Sequence, residues 1–505
     1  MFPKQKIMKY LLSALLTLCC GILGAQNAAD ALRYSFLELG GTARTIGLGG
    51  AIGAFGGDFS VVSVNPAGLA TYRSSELTFT PTLVFSNNTS RLLNSDGRDT
   101  TVNRTRFNFN NLGLVIATRP VGKMKTFNFA LGFNRLASFN REFSYSGKSA
   151  GSYVDRFVEL STDFDRNPLS AGDLDPFEAG LALETGAIFF DSVAGNWAND
   201  FGGQPDVQKS QRIRARGALN ELVFALGGNY NNKLQFGATL GVPILRYSER
   251  RTYEEEDTGG GKDGDIPFFN DMRFVEDLTT TGVGINLKLG LIYRFSQAFR
   301  LGLAAHTPTA YSMDDTFFTE MEYSFTGDNA QEEREFRTSP TAAFEYGLRT
   351  PWRIITSAGF LIKRRGFISA EVEWIDYTAA NFNLTRNSDA TEDVLFEEQV
   401  NQSIDDLYQS ALNVRLGGEL ALKDYRIRLG TGFTGNPNQN GELLYSYYTA
   451  GFGYRSKGFF IDLAYRLLFQ EEDFVPYLLE SVEEQQLVNN DFVNHKIMMT
   501  LGFRF

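Results

Sequence analysis

Cysteine and histidine are nearly missing from this chain of 505 residues. Its two cysteines, Cys19 and Cys20, stand side by side near the start, and its two histidines are His306 and His495. Beyond residue 20 there is no thiol for a disulfide, a thiolate zinc site or a cysteine nucleophile. Two histidines this far apart exclude a histidine-rich metal site and multi-histidine catalysis. No metal site, catalytic residue or cofactor is therefore expected. Past the first 25 residues there is also no apolar run of 18 or more, so no transmembrane helix is expected. Positive charge is short as well: 48 Lys and Arg against 59 Asp and Glu leave a net charge of −11, which argues against nucleic acid.

The first 25 residues read as a leader. Lys4, Lys6 and Lys9 precede an apolar stretch from Tyr10 to Leu23, and "LGAQN" offers cleavage after Ala25, the pattern of a secretory signal peptide over 1–25. A lipoprotein with Cys19 or Cys20 acylated is the rival, but Leu18 is larger than the small residue such processing uses.

What the sequence has in excess is aromatic side chains, 13% of the whole, with 44 Phe and 21 Tyr. They fall in alternating strands. In "HKIMMTLGFRF" at the C-terminus, Ile497, Met499, Leu501, Phe503 and Phe505 share one face, against Lys496, Thr500, Gly502 and Arg504 on the other. In "GFFIDLAYRLLFQ" (458–470), Phe459, Ile461, Leu463, Tyr465 and Leu467 oppose Asp462, Ala464 and Arg466. Such alternation with charge on the second face fits a transmembrane β-barrel whose lumen is polar or plugged; mean hydropathy stays at −0.20 because only every second residue faces lipid. A soluble protein would carry the apolar terminal strand as an aggregation liability.

The periodicity predicts fourteen strands, near 77–87, 104–119, 124–137, 212–230, 234–249, 272–295, 299–324, 342–362, 366–385, 411–422, 425–434, 443–455, 458–470 and 494–505. Alternate connections are tight ("PVGK", "NNK", "SQA", "KRRG", "KD", "SKG"), and the others are mostly longer, the largest spanning 138–211. The tight turns carry Lys and Arg, while the long ones carry "EEED" (254–257), "EERE" (332–335) and "QEED" (470–473). Short turns on one side and long loops on the other are the habit of barrels in the Gram-negative outer membrane. The expected architecture is all-β: a multi-pass barrel over 73–505, preceded by a separate segment over 26–72, with outer-membrane lipid around it.

That preceding segment contains "GGTARTIGLGGAIGAFGG" (40–57), eight glycines in eighteen positions, then "NPAGLA" (65–70). It is no dinucleotide loop, because Ile52 stands where the third glycine of GxGxxG belongs and no βαβ unit surrounds it. "GGGKDG" (259–264) is no P-loop, because Asp263 stands where Ser or Thr must bind magnesium. Nor is 40–57 a plain linker, since Ile46, Leu48, Ile52 and Phe55 interrupt it. Small residues that let backbone pack closely inside a barrel describe a plug.

Residues 40–70 resemble the N-terminal hatch of the FadL/TodX family of outer-membrane transporters for long-chain fatty acids and other hydrophobic compounds. Gly41, Ala43, Arg44, Gly47, Gly49, Gly50 and Ala51 match its glycine-rich motif, and Asn65, Pro66, Ala67 and Gly68 its Asn-Pro-Ala motif. The resemblance implies a fourteen-stranded barrel, capture of a hydrophobic ligand by outer loops, a deeper apolar pocket, movement of the hatch, and a lateral exit where the third strand kinks inward. It also implies that the Asn65–Pro66–Ala67 turn braces the hatch beside that exit. The terminal strand ending in Phe505 resembles the signal read by the barrel-assembly machinery.

Gly132, in "TFNFALGFNRLASF" (126–139), is the candidate kink, with packing space for the hatch as the alternative. Among lumen-facing charges, Arg428 or Arg415 could meet a ligand carboxylate by a bidentate contact; the alternative is a ladder of paired charges that holds the hatch. In the outer segment, Val154, Phe157, Val158 and Leu160 share a helical face, either a capture groove or a packing face.

Three other functions compete. His306 in "AAHTP" invites a haem-uptake reading. An enzyme would need a serine or aspartate site with histidine help, and His495 near Asp491 and Asn494 has no motif serine beside it. Asp163, Asp165 and Asn167 have EF-hand spacing, but Pro168 occupies the glycine position. A structural or adhesive barrel would have a hatch that never moves.

Overall fold

Alternation along the chain becomes a closed wall. The computed structural model describes residues 28–505 apart from Phe164, 203–204, 260–264, 328–330, Arg364, 385–390, Asn440 and 482–483. The expected leader (1–25) and nearly all of "GGGKDG" lie outside the described residues. The first half of the wall is β1 (Glu76–Leu92), β2 (Thr100–Thr118), β3 (Met124–Ser138, resuming as Arg141–Ala150), β4 (Asp206–Tyr230), β5 (Leu234–Glu256), β6 (Phe269–Arg294) and β7 (Phe299–His306, then Ala310–Thr326). The second half is β8 (Ala342–Arg349, then Arg353–Ile362), β9 (Gly366–Asp376, then Asn381–Asn383), β10 (Ser410–Leu422), β11 (Tyr425–Gly435), β12 (Leu443–Arg455), β13 (Phe459–Phe474) and β14 (Val488–Arg504). Neighbours run antiparallel, and β14 pairs back onto β1 from Arg504–Glu76 to Val488–Leu92, so the fourteen-strand sheet closes into a barrel. Pro308 and Pro351, which have no N–H to give the ladder, stand in the breaks of β7 and β8.

The outer surface identifies the solvent. On β6, Val283, Ile285, Leu287, Leu289, Leu291 and Tyr293 are all exposed, while Lys288 between them is buried on the lumen side. Apolar out and polar in, over about ten residues, is the lipid belt of a membrane barrel. The tight connections form the turns at the periplasmic rim; in one of them Asn231 and Asn232 both take positive φ, 52° and 57°, at the centre of a turn that the Lys233 N–H closes on the Tyr230 carbonyl at 3.1 Å.

Several strands run past the ends that alternation indicates. β5 continues to Glu256 and β13 to Phe474, while β4 already begins at Asp206. What reads as one loop over 138–211 is therefore strand at both of its ends. Beyond the lipid both faces meet water, so the apolar signal stops while the backbone ladder goes on.

Over the outer rim lies a cap of α3 (Tyr153–Glu159), α4 (Ala179–Thr185) and the hairpin Phe189–Asp191/Asn196–Ala198. Ser152 and Asp155 form a reciprocal capping box at the start of α3. A further helix, α5 (Thr391–Leu407), stands where the sequence suggests only an acidic loop. The two remaining helices lie inside the barrel: α1 (Ala28–Ser35) and α2 (Ala43–Gly47).

Candidate functional site: the hatch, the lumen charges and the third strand

Residues 43–62 are almost entirely buried because the wall around them lacks side chains. A Cβ built on Gly417 of β10 would lie 2.1 Å from the Leu48 carbonyl oxygen, and one on Gly430 of β11 would lie 2.3 Å from the Gly49 nitrogen. Across the lumen, Gly237 of β5 meets Pro66 at 2.3 Å and Gly290 of β6 meets Asn65 at 2.0 Å by the same measure. Gly113 of β2 and Gly132 of β3 together make room for the Phe59 ring. The hatch thus lies directly against wall glycines on opposite sides of the lumen, through its backbone at Leu48, Gly49 and Pro66 and through the side chains of Asn65 and Phe59.

The expected hatch residues hold distinct places. Gly47 lies against Gly451 of β12, and Gly49 and Gly50 take φ of +61° and +85°, turning the chain where a side chain would strike Thr431 or Leu39. Asn65 caps the short 3₁₀ turn Pro66–Thr71, accepting from the Ala67 N–H at 3.2 Å and donating to the Gly53 carbonyl at 2.8 Å. Its amide also donates to the Leu291 carbonyl at 3.3 Å, so this turn is braced on β6.

Several charges beside the hatch are paired with one another. Arg428, with a side chain fully shielded from solvent, bonds Glu419 at 2.7 Å and Asp462 at 2.7 Å, and Glu419 also accepts from Arg44 of the hatch at 3.2 Å. Arg44 in turn donates to the Gly57 carbonyl at 2.7 Å. Arg415 bonds Glu371 at 2.7 Å and also Glu373, while Glu371 accepts the Gly53 N–H at 3.0 Å. Both arginines are committed to carboxylates that run to the hatch. His306 is likewise buried, with Nε2 2.9 Å from the Val64 carbonyl of the hatch.

Above the hatch, α1 packs within the lumen. Ala28, Ala31 and Tyr34 pack into a cluster with Tyr247, Tyr311, Tyr346, Tyr377, Phe382 and Tyr408, contributed by several strands and the outer loops. Tyr34 donates to Thr280 at 3.0 Å, and Tyr408 donates to the Ala28 carbonyl at 2.8 Å. The sequence reading missed this helix because eight residues are too few to establish a helical period, although Ala31, Tyr34 and Ser35 do lie at the required spacing.

The third strand leaves the wall. β2 and β3 pair only from Asn111–Asn134 to Thr118–Phe127. Beyond that, β3 keeps its ladder with β4, shifts register between Arg135 and Ala137, and resumes at Arg141. Residues 141–150 then pass inside β1 and β14: Asn88 of β1 donates to the Glu142 carbonyl, and the Phe143 ring meets Phe492 at 6.0 Å. Thr100–Asn110 and 135–150 therefore share no ladder bonds. Gly132 itself lies in unbroken pairing, facing Gly113 and Val223, and the departure begins three residues later. The hatch residues at the departure are Gly40, close to the Arg135 carbonyl, Gly41, whose carbonyl accepts from Asn110 at 2.9 Å, and Ser63, which meets Asn134 at 2.8 Å.

In the cap, Val154 and Phe157 are fully buried, with Tyr153, Tyr253, Phe274 and Tyr477 around them, so that face of α3 is occupied by the cap's own core. Burial pushes the Glu159 carboxyl of α3 up to about 7; the Glu480 N–H, 2.9 Å away, opposes the shift and the Glu480 charge adds to it. Since the folded value lies above the ordinary carboxyl value near 4.3, this group's stabilisation is complete below about pH 4.3 and is lost as pH rises through about 7. Deuterium uptake across 153–201, corrected for intrinsic exchange, is expected to rise between pH 5 and pH 8, and Glu159→Gln is expected to remove that dependence.

No protein-family model and no curated protein sequence matches the chain. Solved structures do. A FadL homologue of Pseudomonas aeruginosa is 13% identical with a TM-score of 0.53, over 93% of this chain and 100% of that one. The toluene transporter TodX of P. putida is 12% identical with a TM-score of 0.51, over 92% of this chain and 99% of that one. With its lipid belt, closed wall and alternating turns, the chain is a multi-pass Gram-negative outer-membrane barrel that has the FadL/TodX fold.

Proposed function

We propose that this barrel carries hydrophobic compounds across the outer membrane, with long-chain fatty acids as the first candidate cargo. The observation that carries this reading is the close-packed hatch beneath an aromatic lumen, beside a third strand that leaves the wall. A water-filled pore would serve an apolar cargo poorly. An aromatic chamber with a side route into lipid serves it well, because the cargo exchanges one apolar environment for another. The transport named for the P. putida relative points the same way.

In this reading the cap admits the cargo, the cargo displaces α1 from the tyrosine cluster, and it leaves between β2 and β3 past Gly40 and Ser63. Arg428 and Arg415 hold the hatch rather than the cargo. The Asn65–Pro66–Ala67 turn anchors the hatch on the side away from its moving edge. Binding carries the cost of displacing α1, which lowers apparent affinity by the fraction of time the chamber is vacated.

The test is mass spectrometry of lipids released from the detergent-purified mature protein, with oleate and toluene as competitors. Fatty acids enriched over a control barrel and displaced by oleate are expected. Lipid indistinguishable from the control would overturn the reading. A variant lacking residues 28–35 is expected to bind oleate about tenfold more tightly or better, since α1 no longer competes; unchanged affinity would show that the cargo binds elsewhere.

A further inference from the structure

Where β3 turns inward, the outer face of the barrel acquires a basic cleft. Arg212, Arg214 and Arg216 of β4 face outward above the lipid belt, at alternate positions opposite the buried Gln211, Ile213 and Ala215. Arg104 and Arg106, on the inner face of β2, reach the same place because the continuation of β3 lies beneath them. One carboxylate serves this group: Glu142 bonds Arg104 at 2.6 Å, Arg212 at 2.6 Å and Arg214 at 3.1 Å. Arg106 lies in the field of Arg104, Arg214 and Arg216 as well as Glu142. Neither Arg106 nor Arg216 has a hydrogen bond or ion pair among the described residues, and the Arg214 Nε is buried with no partner. A cleft of about 520 Å³ opens beside this group, between Thr100 of β2, Ser144 and Ser146 of β3, and Arg212, Arg214, Arg250 and Arg273, with Glu254 as the one carboxylate among the described residues of its lining.

Five guanidiniums near Glu142, with Glu254 the further carboxylate at the cleft, leave a surplus of positive charge on a chain whose net charge is −11. Like charges held together without a counterion repel, so the arrangement favours an anion with several acceptor oxygens. Its position narrows the choice further. Phe107 and Phe109, on the outward face of β2 beside Arg104 and Arg106, are 58% and 47% exposed, so the cluster stands at the edge of the lipid belt. An occupant with a phosphate head and acyl chains would place its head on the arginines and its chains on these rings.

We propose that this cleft binds the phosphate groups of an acylated glycolipid of the outer leaflet. The planar guanidinium fork matches phosphate in bidentate fashion, and Arg106 and Arg216, beside the forks that Arg104 and Arg212 give to Glu142, hold no carboxylate of their own among the described residues. The site lies at the outer end of the β2–β3 opening, beyond Gly40 and Ser63 where the cargo is proposed to leave, so it ties the barrel to its surrounding leaflet next to the departing strand. Its failure would leave the transport reading untouched.

The experiment titrates the full mature protein in detergent with hexa-acyl bisphosphoryl lipid A, the same lipid freed of both phosphates, and oleate, followed by native mass spectrometry. Bisphosphoryl lipid A is expected to bind about tenfold or more tightly than the dephosphorylated form. Arg106→Gln/Arg216→Gln, which breaks no existing pair, is expected to abolish that preference, while Arg365→Gln in a periplasmic turn keeps it. Heat-modifiable mobility confirms the fold, and Arg216→Gln alone, at an exposed position, gives the same direction should the double variant fail to fold. Equal binding of the two lipids would overturn the proposal. So would a folded double variant with unchanged preference, or one-for-one displacement of lipid A by oleate.

Discussion

Gly417→Val/Gly430→Val is expected to convert the closed barrel into a leaking one. The two positions pair across β10 and β11, and their missing side chains are what lets Leu48 and Gly49 lie against the wall. A Cβ at either site would stand 2.1–2.3 Å from hatch backbone, which no rotamer change can relieve. Overpacking a single site costs about 1–3 kcal/mol when neighbours can shift. Here the neighbour is backbone held by Arg44, Asn65 and Glu371, so the least costly response is for the hatch to leave as a unit. Wall pairing does not depend on the hatch, so the barrel is expected to remain folded and heat-modifiable. Planar-bilayer conductance is expected to rise by about tenfold or more, because a fourteen-strand wall without its plug is wide enough for water. Ala298→Val, in a turn remote from the hatch, serves as the matched control. A folded double variant that stays electrically silent would show that the hatch can yield locally and that its seal does not depend on these glycines.

The same contacts show which parts of the molecule were legible in the sequence. Fourteen strands and their tight turns were readable because lipid on one side and lumen on the other impose a period of two. The hatch was readable because "GGTARTIGLGGAIGAFGG" is too glycine-rich for any other role its spacing allows. What it packs against was not, since the complementary glycines at 237, 290, 417 and 430 look like ordinary strand residues until the wall closes. The resemblance implied that β3 turns inward, but where it does so was not readable, for a similar reason. It is fixed by Glu142, whose partners Arg104 and Arg212 lie 38 and 70 residues away. Gly132 stood out as the flexible point, yet its lack of a side chain is used by Phe59 of the hatch, and the strand turns away at Arg135 instead.

Removing Arg428 is expected to be the most destabilising single truncation in the lumen. Its guanidinium bridges Glu419 and Asp462, and Asp462 also accepts from Arg455 at 2.8 Å. Arg428→Ala leaves two buried carboxylates short of a partner, and breaking a buried pair costs about 3–5 kcal/mol. The loss also frees Glu419 to bind Arg44 alone, so the hatch keeps one anchor while the wall beneath it loses its bridge. Replacing the pair together, as Arg428→Met/Asp462→Leu, is expected to recover only part of that loss: the apolar pair avoids the desolvation that the ion pair must overcome, but Arg455 gives up its Asp462 partner. Urea unfolding in detergent, read by tryptophan fluorescence, measures both differences. The same variants separate a structural arginine from one that meets cargo. If Arg428 supports the hatch, Arg428→Met/Asp462→Leu binds oleate as the parent does. If it grips a carboxylate, that double variant is stable and yet loses oleate affinity by about tenfold, the worth of one charge-assisted contact. The 2.7 Å bonds on two sides of the guanidinium, in a side chain closed to solvent, argue for the first outcome.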